Sequence, residues 1–144
     1  MNNVEVILRS KGRSVVTIAP DASIAAAAAL LRAKGIGALV VSADGATMAG
    51  ILSERDIVHA LAERGAALLE LPVAALMTRH VFACKPGDGI AELMAEMTER
   101  RIRHLPVLEN GRLVGIVSIG DVVKNRLDEV EDEASSLRQF ITSP

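Results

Sequence analysis

Two stretches hold the residue types that could do chemistry: Gly50-Ile51-Leu52-Ser53-Glu54-Arg55-Asp56 and Gly115-Ile116-Val117-Ser118-Ile119-Gly120-Asp121. Each follows an apolar run and opens a helical pattern. Ser-x-x-Asp in that setting is close to a capping box, in which the hydroxyl satisfies an orphan N–H and the acid reaches back. The same helix end offers N–H groups to an anion, and an acid there can accept both hydroxyls of a ribose. Capping accounts for Ser53 and Ser118; for Asp56 and Asp121, cap and ligand contact are compatible. The only dense basic cluster is Arg100, Arg101, Arg103 and His104. Cations opposing a helix dipole suffice for Arg100 and Arg101. Arg103 and His104 stand beyond that helix, at the mouth of a strand, where an Arg fork can bind two oxygens at once.

Other chemistries lack their residues. Cys84 is the single cysteine, which excludes an intrachain disulfide and a cysteine-based zinc site. His59 and His80 have no partner at ligand spacing and read as surface or core packing. Neither a Gly-x-Ser-x-Gly elbow nor a Walker motif occurs. No enzyme is expected.

The elements that position these residues come in duplicate. At an offset of 66, Pro20 meets Pro86, Ile36 meets Ile102, Leu39 meets Leu105 and Gly45 meets Gly111; at 65, Gly50 meets Gly115, Ser53 meets Ser118 and Asp56 meets Asp121. Each copy begins with a short strand, Val15–Ile18 and Val81–Cys84. A helix follows over 21–34 and 88–100, with Asp21 and Asp88 as expected N-caps and Gly35 as a C-terminal cap. Two strands then flank Asp44-Gly45 or Asn110-Gly111, both hairpin-turn pairs. Closing helices are expected over 54–63 and 119–129. The unit is β-α-β-β-α, so the fold class is α+β (mixed α/β), with two repeats packed about a pseudo-two-fold axis. The expected division is 4–64 for the first repeat with its run-in segment, 65–79 for a linker with a short helix at 73–77, 80–130 for the second repeat, and 131–144 for a C-terminal helix.

Composition narrows the partners. The 144 residues carry a net charge of -2, 50% hydrophobic residues and 1% aromatics. Disorder requires the opposite balance, and nucleic-acid binding wants a basic excess and stacking rings. Ile24–Leu31, the longest apolar run, is too short to span a membrane. Met1-Asn2-Asn3 has no positive n-region, so a secretory signal is not expected and the expected compartment is cytoplasmic. Val123, Leu127, Val130, Ala134, Leu137 and Ile141 recur at intervals of 4 and 3, a coiled-coil-like stripe. It fits a helix packed on its own module or a dimer contact.

With Arg103-His104-Leu105-Pro106-Val107 and Leu76-Met77-Thr78 added to the two Gly-to-Asp strings, the chain resembles the tandem cystathionine-beta-synthase (CBS) domain pair, or Bateman module, from about residue 4 to 130. The resemblance implies a regulatory module that binds adenosine nucleotides (AMP, ADP, ATP or NAD(H)) in clefts between the repeats. It implies a homodimer read by a downstream protein. It also implies the ligand residues. The cleft of Asp56 would receive Phe82, Ala83, Arg103 and His104. That of Asp121 would receive Val16, Thr17, Gly37 and Ala38, helped by Arg55. Ser53 and Ser118 complete the set. Because Gly37-Ala38 stands where the second copy has Arg103-His104, the Asp56 cleft should bind phosphates better. The alternative is a constitutive homodimeric scaffold with vestigial clefts.

Overall fold

The computed structural model describes residues 2–142. Five helices and five strands form a mixed α/β fold built twice. The first half contains β1 (Thr17–Ile18), α2 (Ile24–Lys34), β2 (Ala38–Val41), β3 (Gly50–Ser53) and α3 (Glu54–Arg64). The second contains α4 (Ile90–Arg100), β4 (His104–Glu109), β5 (Arg112–Ser118) and α5 (Ile119–Thr142). Helix α1 (Val4–Lys11) precedes the first half, and two 3₁₀ turns, Ala66–Glu70 and Val73–Ala75, join the halves.

Strand β2 lies between β1, parallel to it, and β3, antiparallel to it. β4 and β5 pair antiparallel, from His104 opposite Ser118 to Glu109 opposite Arg112. The second copy's first strand shrinks to a single parallel bridge, Cys84 to Val107, so Val81–Ala83 is not a strand. Asn110 and Gly111 both have positive φ, 53° and 76°, as a tight hairpin turn requires. The first hairpin turn is longer. Asp44 Oδ1 accepts N–H bonds from Ala46 (2.8 Å) and Thr47 (2.7 Å), and these bonds hold its carboxyl well below the usual carboxylate range.

The first strand starts at Thr17 rather than Val15, the short helix expected over 73–77 is the 3₁₀ turn Val73–Ala75, and three α-helix ends also differ from expectation. The N-cap of α2 is Ser23, whose Oγ accepts from Ala26 N–H, rather than Asp21. The cap position of α4 is Gly89; the Asp88 carboxylate instead reaches back and accepts the Lys85 N–H at 2.9 Å. The closing helix does not stop near 129: no breaker separates the repeat from the tail, and α5 runs unbroken to Thr142. Residues 143 and 144 of the expected tail lie outside the described residues. Gly35, at φ 63°, does cap α2.

The packing crosses over. Leu68, Val73 and Met77 of the connecting segment complete a core with Ile24, Leu39, Val41, Leu52 and Ile57. Val4, Ile7 and Leu8 of α1, expected to run into the first repeat, instead join the core of Ile90, Leu93, Leu105, Val107, Val117 and Val122. Each such side chain contributes about 1.5–3 kcal/mol by leaving water. This crossing explains the glycine that opens each motif. A Cβ at Gly50 would sit 2.6 Å from the Thr78 carbonyl oxygen, and one at Gly115 would sit 2.6 Å from Leu8 Cδ2.

Candidate functional site

The two capping boxes form as the spacing predicts. Asp56 Oδ2 accepts Ser53 N–H at 3.0 Å, and Ser53 Oγ accepts Asp56 N–H at 3.2 Å. Asp121 and Ser118 repeat the pattern at 2.9 and 3.1 Å. A matched backbone bond ties each helix start to the other strand mouth of its repeat: Glu54 N–H to Gly37 O (2.9 Å) and Ile119 N–H to Arg103 O (2.8 Å). Two of the first three N–H groups of α3 are therefore engaged within the fold. An anion near this end must rely chiefly on side-chain cations.

Those cations converge on one cavity of about 1160 Å³ between the repeats. Asp56, Ser53 and Arg55 line it from the first repeat; Phe82, Arg103 and His104 line it from the second. Arg100 and Arg101 line it too, as do all three histidines of the chain, His59, His80 and His104. Among the described residues, four arginines thus face two carboxylates, Glu54 and Asp56. In a chain of net charge -2 this is a local positive field. The Arg100 guanidinium stacks 3.9 Å from the Phe82 ring centroid. Arg101 occupies the left-handed cap of α4 at φ 56°, where the first repeat has Gly35. A non-glycine residue there is strained by about 1–2 kcal/mol.

His104 reaches across the repeats. A Cβ at Gly37 would lie 3.1 Å from its Cε1, so the bare backbone of Gly37 makes room for the ring. Burial, reinforced by Arg103, pushes its pKa below the ordinary imidazole value. His104 is consequently a neutral hydrogen-bonding group near pH 7, and the positive charge comes from the arginines.

The second carboxylate has different company. Lys11 Nζ, from the end of α1, donates to Asp121 Oδ2 at 2.6 Å and to Ile116 O at 3.0 Å. Burial pushes the Asp121 pKa up, but the bonds from Lys11 and Ser118 outweigh it and hold the carboxyl below its usual value. The second repeat still reaches the large cavity through Ser118, Ile119 and Gly120, but Asp121 does not line it. Val16 and Thr17 do not line it either, whereas Gly37 and Ala38, expected beside Asp121, do. Ala83 faces a separate dimple of about 30 Å³ with Asp88 and Leu93.

Sequence reasoning missed Lys11, whose partner lies 110 positions away, and left no local signal to find it. It also set aside His59 and His80. His59 had a signal, since three residues after Asp56 is the same helix face. Cys84 is buried as expected, its thiol pushed up to about 12 by burial. No group of three or more metal-binding side chains occurs among the described residues. Nor is any described helix long and apolar enough to cross a membrane.

A cavity between duplicated β-α-β-β-α units, with a capping-box acid at the head of each closing helix, defines a class of paired modules. The CBS domain family model matches residues 11–63 and 73–128, and the chain belongs to that family as a tandem pair. The CBS-domain containing protein ATU1752 from Agrobacterium tumefaciens superposes with a TM-score of 0.83 at 52% identity, covering 87% of this chain and 99% of that one. The mitochondrial CBS domain-containing protein CBSX3 of Arabidopsis thaliana is 31% identical over 94% of this chain and 69% of its own length. The CBS domain pair of protein MJ0100, solved with 5′-methylthioadenosine and S-adenosyl-L-methionine, gives a TM-score of 0.78 at 25% identity, covering 90% and 98%.

Proposed function

We propose that this chain is a non-catalytic, cytoplasmic sensor module that binds a phosphorylated adenosine ligand (AMP, ADP, ATP or NAD(H)) in the cavity at Asp56. The observation that carries the reading is the single cavity holding Asp56 from one repeat and Arg103 from the other. Asp56 takes the ribose hydroxyls, and Arg103, with Arg55, takes phosphate oxygens as bidentate forks. Phe82, held by Arg100, and Ile102 supply apolar contact for the base. The adenosine ligands bound by the MJ0100 pair support the nucleoside part of this reading. The arginine excess argues for adding phosphates to it.

One ligand per chain follows, because the Lys11–Asp121 bond leaves the second carboxylate committed. That bond favours the vestigial-cleft reading for the second site alone. Filling the Asp56 cavity pulls both repeats onto one ligand. The resulting change in their packing is what a homodimer passes to a downstream protein, provided the two states differ in affinity.

A thermal-shift panel of AMP, ADP, ATP, NAD, NADH, S-adenosylmethionine and adenosine tests this. A ligand at 100 times its Kd adds about 2.7 kcal/mol of stability, or several degrees of Tm for a chain this size. Phosphorylated ligands should shift Tm, and Arg103→Ala should weaken them more than adenosine. A panel without any shift, or one led by the unphosphorylated ligands, overturns the reading.

A further inference from the structure

Helix α5 continues well past the second core. From Glu131 onward every described residue except Ala134 is exposed. A helix left without packing over half its length is marginal in water. Its apolar residues are nonetheless ordered into one stripe. Val123, Leu127 and Val130 are 40%, 59% and 44% exposed, and Leu137 and Ile141 are 60% and 70% exposed. The face turned to the module is a different one: it carries Val122, fully buried, and Asn125 and Glu129, which bond to Asn2. The module therefore does not cover the stripe.

We propose that this stripe is the seam of a parallel two-stranded pairing with α5 of a second copy of this chain, a deepening that rests on the homodimer proposed above. The 4-and-3 spacing places Val123, Val130 and Leu137 at d and Leu127, Ala134 and Ile141 at a of a heptad. The flanking charges choose the direction. In a parallel pair each g residue meets the e residue five positions on in the other helix. Arg126 then faces the partner's Glu131, and Glu133 faces the partner's Arg138. In an antiparallel pair with the same apolar layers, Lys124 meets the partner's Arg138, while Glu131 and Glu133 each meet their own copies. Only the parallel arrangement places opposite charges together.

The test uses the full chain carrying Leu137→Cys under mild oxidation. Cys84 stays out of the reaction because it is buried and its thiol is pushed up to about 12. The expected result is a covalent dimer as the main product. Sedimentation equilibrium should show Glu133→Lys raising the dimer Kd about fivefold, with Glu133→Lys/Arg138→Glu returning to the parent value. Cross-linking only when Leu127→Cys and Leu137→Cys chains are mixed would establish the antiparallel arrangement and overturn the proposal. A dimer indifferent to Leu137→Glu, with no cross-link, would overturn the helix pairing but leave the homodimer standing. A monomer at every concentration would remove both. None of these outcomes bears on nucleotide binding at Asp56.

Discussion

Asp56 and Asp121 sit at the same position of the same capping box, yet one lines an open cavity and the other holds a lysine. The difference arises outside the duplicated unit. Each core is completed by a run-in segment, anchored at Asn3 to Gly89 and at Pro72 to Ser23. Counted from those anchors, Lys11 of one run-in corresponds to His80 of the other. The first places a permanent cation on Asp121; the second places an exposed histidine in the wall of the Asp56 cavity. Duplication thus preserved the helix cap, while the run-in residue sets the company of the carboxylate: Lys11 bonded to Asp121, His80 beside Asp56 in the cavity wall.

Packing against the two run-in segments should respond most strongly to substitution. Gly50→Ala pushes a methyl against the Thr78 backbone, which cannot swing aside, and should cost about 2–3 kcal/mol. Gly115→Ala meets the end of the Leu8 side chain, which can turn, and should cost about 1 kcal/mol. Urea midpoints decide; equal costs would mean that the two run-ins are held alike.

Next is the carboxylate itself. Asp56→Asn keeps an acceptor for the cap but removes the charge proposed to hold the ribose hydroxyls, and should cost about 2 kcal/mol or 30-fold in Kd. Asp121→Asn should change Kd by less than about twofold. Calorimetric titration separates them, and the reverse order would exchange the roles of the two clefts.

A smaller effect follows pH. His104 is surrounded by Arg103, Glu54, Lys11 and Asp121, and burial and Arg103 lower its pKa in the free protein. A bound phosphate raises it again, so binding takes up a proton and affinity grows as pH falls. Between about pH 7.5 and 6 the parent should gain about threefold more affinity than His104→Gln. Parallel profiles would remove His104 from the phosphate site. In the free protein the sign is opposite for stability: a neutral buried imidazole stabilises above its ordinary pKa, and that contribution fades as pH drops below it.

The smallest stability effect belongs to Lys11→Ala, about 0.5 kcal/mol for a partly exposed ion pair. Since the Asp121 carboxyl is held below its usual value, this contribution exists above about pH 4 and disappears as acid protonates the group. The same variant should raise ligand stoichiometry from one toward two. An unchanged stoichiometry would show that Lys11 is not what closes the second cleft.

Much of this was legible locally. The repeat offsets pointed to two copies of one unit, the second with its first strand reduced to the Cys84 bridge; Asn110-Gly111 gave the second hairpin and Ser-x-x-Asp both caps, because these depend on residues within a few positions. The N-caps of α2 and α4 are Ser23 and Gly89 rather than Asp21 and Asp88, because the helices begin only at Ile24 and Ile90. What could not be read was long-range: α1 docking on the far core, Lys11 reaching Asp121, and Gly37 making room for His104. Each needs two segments whose meeting is set by packing.

The most direct measurement is a crystal structure of the full chain with saturating ATP. The expected result is one nucleotide per chain, its ribose hydroxyls on Asp56 and its phosphates on Arg103, with Asp121 still bound to Lys11. A dry Asp56 cavity, or a nucleotide seated on Asp121 with Lys11 displaced, would contradict it.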